Sequence, residues 1–82
     1  MTTTDKLIEK ARWSPNNLNF EEICLLAERV GFIFRRQAGS HRIYKHPVHK
    51  AIMNFQPDKR DPSKAKGYQI KQLLDFIKAM EK

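Results

Sequence analysis

Phe32-Ile33-Phe34-Arg35-Arg36-Gln37 and His41-Arg42-Ile43-Tyr44-Lys45-His46, joined by Ala38-Gly39-Ser40, decide the fold. Both runs are rich in strand formers, and the joint carries a glycine where a tight turn needs one. The pair reads as an antiparallel hairpin ended by Pro47. After the short connection His49-Lys50, Ala51-Ile52-Met53-Asn54-Phe55-Gln56 reads as a third strand, closed by Pro57. Upstream the period changes. Asn19 is a good N-cap, and Glu22 stands three residues on, where a capping box places its acid. Phe20, Ile23, Ala27 and Val30, with Cys24 and Leu26 beside them, form a stripe at helical spacing that Gly31 stops.

Downstream, residues 57–67 form a charged loop containing two prolines. From about Tyr68 a second helix runs nearly to the end. Ile70, Leu73, Leu74, Ile77 and Met80 share one face, with Lys71, Gln72, Asp75 and Lys78 mostly on the other. A shorter helix is expected over residues 5–12, broken by Ser14-Pro15-Asn16-Asn17. The expectation is an α+β fold: α-β-β-β-α, a three-stranded antiparallel sheet with helices on one face, plus a short N-terminal helix. The other sheet face is left available. Residues 1–82 are read as a single domain, with 1–18 an N-terminal extension and 19–80 the core.

Alternation along the second strand sets His41, Ile43 and Lys45 on one face and Ser40, Arg42, Tyr44 and His46 on the other. Ile43 is expected to seek the core, with His41 at the strand's first position able to reach solvent. A bulge at Gly39-Ser40 would change that phase.

Sixteen Lys and Arg stand against nine Asp and Glu, a formal charge of +7 on 82 residues. Such an excess attracts polyanions: nucleic acid, an acidic protein or an anionic membrane surface. Cys24 is the one cysteine, so no intrachain disulfide forms, and its apolar neighbours mark it as a small buried hydrophobe. No paired Cys/His spacing suggests zinc. No apolar run approaches the roughly 20 residues of a membrane span, and the first ten residues lack a signal-peptide core. The expected location is cytoplasmic, with no membrane partner.

Chemistry concentrates in the hairpin. Arg35, Arg36, Arg42 and Lys45, two histidines and a tyrosine surround one glycine turn. Guanidinium forks grip phosphate, lysine adds point charge, and an aromatic ring can stack on an unpaired base. A solvated basic edge that discourages strand pairing is the plainer alternative. Lys64 and Lys66 precede the last helix, where phosphate is attracted; solvated loop lysines are the alternative there. His46 and His49 flank Pro47 and read as loop residues rather than as a metal pair or a second proton-transfer group.

Gly31-Phe32, then Arg36-Gln37-Ala38-Gly39-Ser40-His41 and Ile43-Tyr44, resemble the hallmark of the HicA-type (YcfA-like) mRNA interferase toxins. The likeness extends in order and spacing over roughly residues 19–80, and Lys66-Gly67-Tyr68-Gln69-Ile70-Lys71-Gln72-Leu73-Leu74 is similar to the opening of the last helix in one branch of that family. The resemblance implies a fold like the double-stranded-RNA-binding domain. It implies the toxin of a type II toxin–antitoxin system, an endoribonuclease that cleaves mRNA without metal or cofactor, and a HicB-type antitoxin as partner. The family's catalytic histidine falls on His41 and its motif glycine on Gly39. Taken without the resemblance, His41 reads first as an ordinary surface residue.

RNA carries its own nucleophile, the 2′-hydroxyl. An imidazole that titrates near neutral pH can act as base or acid, and cations can stabilise the phosphorane. The candidate RNA contacts are Arg36, Gly39, Ser40, Arg42, Lys45, Lys64 and Lys66. Two other readings stay open: a non-catalytic double-stranded-RNA-binding module of the same fold, and a small protein whose basic face docks an acidic partner.

Overall fold

The computed structural model describes residues 3–80; residues 1, 2, 81 and 82, which the single-domain reading includes, lie outside the described residues. The elements are α1 (Thr3–Trp13), a 3-10 turn (Pro15–Asn17), α2 (Phe20–Arg29), β1 (Ile33–Ala38), β2 (His41–Lys45), β3 (Ile52–Phe55) and α3 (Gly67–Met80). The core is the α-β-β-β-α arrangement expected, resembling the double-stranded-RNA-binding domain, and the short N-terminal helix is present. The sheet is antiparallel in the order β1-β2-β3, so β2 is central.

The capping box at Asn19 forms as its spacing predicts. The Asn19 side chain accepts from the Glu22 N–H at 2.8 Å, and Glu22 accepts from the Asn19 N–H at 3.1 Å. Glu22 does a second thing: both its oxygens take the Lys10 ammonium, at 2.8 and 2.9 Å. That ties α1 to α2, and Leu7 and Ala11 bury the facing side of α1. The described part of the N-terminal extension, residues 3–18, therefore packs on the body.

Asn19→Ala should lower stability by about 1 kcal/mol. Acid should attack the same joint. Burial pushes the Glu22 carboxyl up, but the Lys10 ammonium and the Asn19 N–H outweigh it and hold the group below its ordinary 4.5. A carboxyl depressed by folding contributes stability above its unfolded pKa and loses it as pH falls through the folded value. The urea midpoint should fall between about pH 6 and about pH 3, and fall less in Glu22→Gln.

The hairpin turns on two residues. Gly39 takes φ +63° and Ser40 stays negative, the sign pattern of a II′ turn, and Ala38 pairs with His41. The bulge lies elsewhere than Gly39-Ser40. Phe34 pairs with Tyr44 and Arg36 with Ile43, which leaves Arg35 as the extra residue.

The expectation that Ile43 enters the core is overturned. Tyr44 is 1% exposed and sits under the helices with Phe55, Ile23, Leu26 and Leu73, while Ile43 lies on the opposite face. Tyr44 buries more apolar surface than an isoleucine would, stacks edge-on with Phe34 and Phe55, and sends its hydroxyl to Glu28 at 3.1 Å. Burial and that carboxylate raise the phenol's pKa.

The loop after β3 is pinned rather than free. Phe20 N–H donates to the Ser63 carbonyl at 2.9 Å and Ala65 N–H to the Leu18 carbonyl at 3.1 Å. Asp58 and Asp61 accept from the N–H groups of Arg60 and Ser63 and close its local turns.

Candidate active site on the open sheet face

With the helices on one side, the other face of the sheet is bare. Register places His41, Ile43 and Lys45 of β2 on it, with Ile33, Arg36 and Ala38 of β1 and Ile52 and Asn54 of β3. The bulge adds Arg35, which lines the same recess as Ile33 and Lys45. In a regular strand Arg35 and Arg36 would point to opposite faces; here both share the side of His41.

His41 opens β2 directly after the turn and is half-buried. Its cross-strand neighbour is Ala38, too small to cover the ring. Among the described residues no hydrogen bond or ion pair engages the imidazole. Extending the Arg42↔Phe55 register by one residue brings Gln56 opposite it. Gln56 is fixed from α3: its N–H donates to Gln69 Oε1 at 2.9 Å, and its Oε1 accepts from Lys66 Nζ at 2.9 Å. Gln69 Nε2 donates in turn to the Asn54 carbonyl at 2.5 Å. Gln69 in the first turn of α3 thus clamps the end of β3. Lys66, just before that helix with exposed Tyr68 beside it, holds the side chain of Gln56, the residue that the register sets opposite His41.

The sequence candidates divide. Arg36, Lys45 and Lys66 lie on or beside the open face. Gly39 and Ser40 form the exposed hairpin tip, where a Cβ on Gly39 would meet no atom within 4 Å. Arg42 points to the helix side. Its guanidinium forks onto Glu21 at 3.0 and 2.8 Å and lies 5.0 Å over the Phe20 ring. The pair holds the Glu21 carboxyl below its ordinary range and raises the guanidinium's pKa further. Lys64 is bridged to Asn19, within electrostatic reach of Glu22. The structure does not bring Arg42 or Lys64 together with His41.

His46 lies in the connection after β2, as the loop reading has it, but it is not an exposed loop residue. Its ring is buried, 6% exposed, against Phe32 and Phe76. Nδ1 accepts the N–H groups of Val48 and His49 at 3.3 and 3.2 Å, so the ring proton is on Nε2, which donates to the Val30 carbonyl at 3.2 Å. This histidine ends α2 and organises the turn after β2. The His49 ring leans on it at 4.7 Å. Among the described residues no group of three His, Cys, Asp or Glu side chains could hold a metal ion.

Sequence reasoning missed Arg35 and Gln56 as neighbours of this face. Gln56 could have been found by counting the register back from the hairpin. Arg35 could not, because nothing local announces the bulge.

Comparison with curated proteins found no match, nor did comparison with solved structures. Comparison with protein families did: residues 20–79 match the family described as HicA toxin of bacterial toxin-antitoxin. The match runs from the first residue of α2 almost to the end of α3 and takes in the whole sheet. On that match, carried by most of the chain and by every element of the core, the protein belongs to the HicA toxin family of bacterial toxin–antitoxin systems.

Proposed function

We propose that this protein is an endoribonuclease, the toxin of a type II toxin–antitoxin pair, which cuts mRNA in the cytoplasm and so arrests translation and growth. One observation carries the reading. An imidazole with no hydrogen-bond or ion-pair partner among the described residues stands at the edge of a bare, basic sheet face, inside the stretch that matches the HicA toxin family and where the motif resemblance puts that family's catalytic histidine.

The reaction asks little of the protein. The ribose O2′ attacks phosphorus, the P–O5′ bond breaks, and the two fragments end in a 2′,3′-cyclic phosphate and a 5′-hydroxyl. His41 takes the proton from the 2′-hydroxyl or supplies one to the departing 5′-oxygen; water handles the other transfer. Arg36 and Lys66 stabilise the charge that builds on the phosphorane oxygens, and Lys45 holds the strand further along. Because the substrate brings its own nucleophile, the chemistry needs proton transfer and charge stabilisation only.

Purified protein incubated with mRNA and excess chelator should yield fragments with 5′-hydroxyl and cyclic-phosphate ends. Fragments with 5′-phosphates would overturn the mechanism. RNA binding without cleavage would leave the non-catalytic RNA-binding module as the better account. The cognate partner on this reading is a HicB-type antitoxin that covers His41; a complex with that ring open to solvent contradicts it.

A further inference from the structure

At the other end of the open face from His41, Arg35, Lys45 and Lys50 converge with Ile33 and Pro47 on a recess of about 240 Å³. Three cations and no carboxylate line it. Among the described residues none of the three has an ion-pair partner. Like charges gathered this way repel, so the arrangement disfavours the empty protein and favours an anion.

Two local irregularities build the recess. The bulge turns Arg35 onto this face. Lys50 sits at φ +60°, in the left-handed region that side chains avoid; it is the one non-glycine residue there among the described residues. The chain is held in that state by the buried His46. Lys50 N–H donates to the His46 carbonyl at 2.9 Å, His46 N–H to the Ala51 carbonyl at 2.8 Å, and the ring takes the next two N–H groups. Lys50 itself is exposed, so the strained conformation contributes no side-chain burial.

We propose that this recess is a phosphate-binding subsite for the RNA backbone, remote from the bond that His41 acts on. The proposal rests on the RNA-binding reading above. It adds Arg35 and Lys50 as phosphate contacts. Lys45 stands four residue steps along the strand from His41, about 13 Å, so the bound phosphate lies on the order of two to four nucleotides from the reacting one, according to how the strand stacks. RNA is favoured over an acidic protein because the recess opens on the same sheet face as His41, with Ile43 of β2 lying between them on that face. Ile33 and Pro47 give apolar walls suited to ribose.

The test uses a non-cleavable 2′-O-methyl RNA of about ten nucleotides, so binding is read whether or not His41 proves catalytic. Arg35→Gln/Lys50→Gly should bind it roughly tenfold more weakly, with the log–log salt slope shallower by about 0.7, the share of one phosphate on a single strand. Lys50→Gly alone should raise Tm by a few degrees while weakening binding, because glycine relieves the backbone as the charge is removed. A control, Lys71→Gln/Lys78→Gln, removes two charges from the exposed side of α3 and should leave the slope unchanged. An unchanged slope in the first variant, or an equal loss in the control, overturns the subsite. So does weakened binding of an acidic protein partner with RNA affinity intact. Failure of the cleavage assay would sink the nuclease mechanism and leave this measurement standing.

Discussion

His41→Ala should slow RNA cleavage by roughly 10²–10⁴-fold while leaving the fold and RNA affinity nearly intact. The size of the effect follows from what the ring does on this reading. It moves one proton in the transition state, so its loss should appear in the rate at saturating RNA and little in the concentration needed to saturate. The structural side of the argument is equally specific. The ring is half-buried and none of the described residues hydrogen-bonds to it, so truncation leaves no orphaned donor and no sealed cavity among them. Single-turnover cleavage, thermal melting and binding to non-cleavable RNA measured on the same preparation separate the contributions. In cells the variant should permit growth where the wild type stops it. Cleavage within about threefold of wild type would remove His41 from the chemistry.

Gly31→Ala should destabilise the protein by about 3 kcal/mol, which for a domain of this size lowers Tm by roughly 12–24 °C. Two physical terms add. Gly31 has φ +107°, which strains any residue with a Cβ, and an ideal Cβ there would come within 2.6 Å of His46 Nε2. That nitrogen makes the ring's bond to the Val30 carbonyl, so a methyl at Gly31 displaces a buried hydrogen bond as well as straining the chain. The comparison that isolates the second term is Gly39→Ala. Gly39 also has positive φ, but open space surrounds its Cβ direction, so the cost should be only about 1–2 kcal/mol. In a His46→Ala background the Gly31→Ala penalty should shrink toward the same figure, a coupling that urea titration of the four proteins reads directly. Equal costs at the two glycines would show that the ring contact contributes nothing.

These two experiments touch the motif residues Gly31 and His41 for unrelated reasons. The glycine admits a buried histidine that ends α2 and shapes the turn before Lys50. The catalytic candidate stands one strand-length away on the opposite face. A loss of activity in Gly31→Ala should therefore track the unfolded fraction and vanish at low temperature, whereas the loss in His41→Ala should not.

The element order was legible from residues that act locally. Asn19 and Glu22 satisfy each other's backbone donors across one turn, Gly31 supplies the positive φ that stops α2, and Gly39 supplies it for the hairpin. Helical spacing marked Ile70, Leu73 and Ile77 as the buried side of α3. Each of these is a short-range preference, decided within a few residues, and a sequence records it plainly. Which face of β2 is inward is a different kind of question. Ile43 and Tyr44 are adjacent and both apolar, so alternation alone presents two equivalent phases. The choice fell to Tyr44, because Phe55 and Phe34 pack its ring and Glu28 receives its hydroxyl, all from other elements.

The same choice determined the site. It put His41 on the open face, sent Arg42 back to Glu21, and left the β1 bulge to place Arg35 beside Arg36. The sequence by itself determined the helices, the hairpin, the surplus of positive charge and the histidine at the head of the second strand. The tertiary structure alone decided which cations share that histidine's face, because strand register and bulges arise from pairing between segments distant in the chain, where no local preference operates.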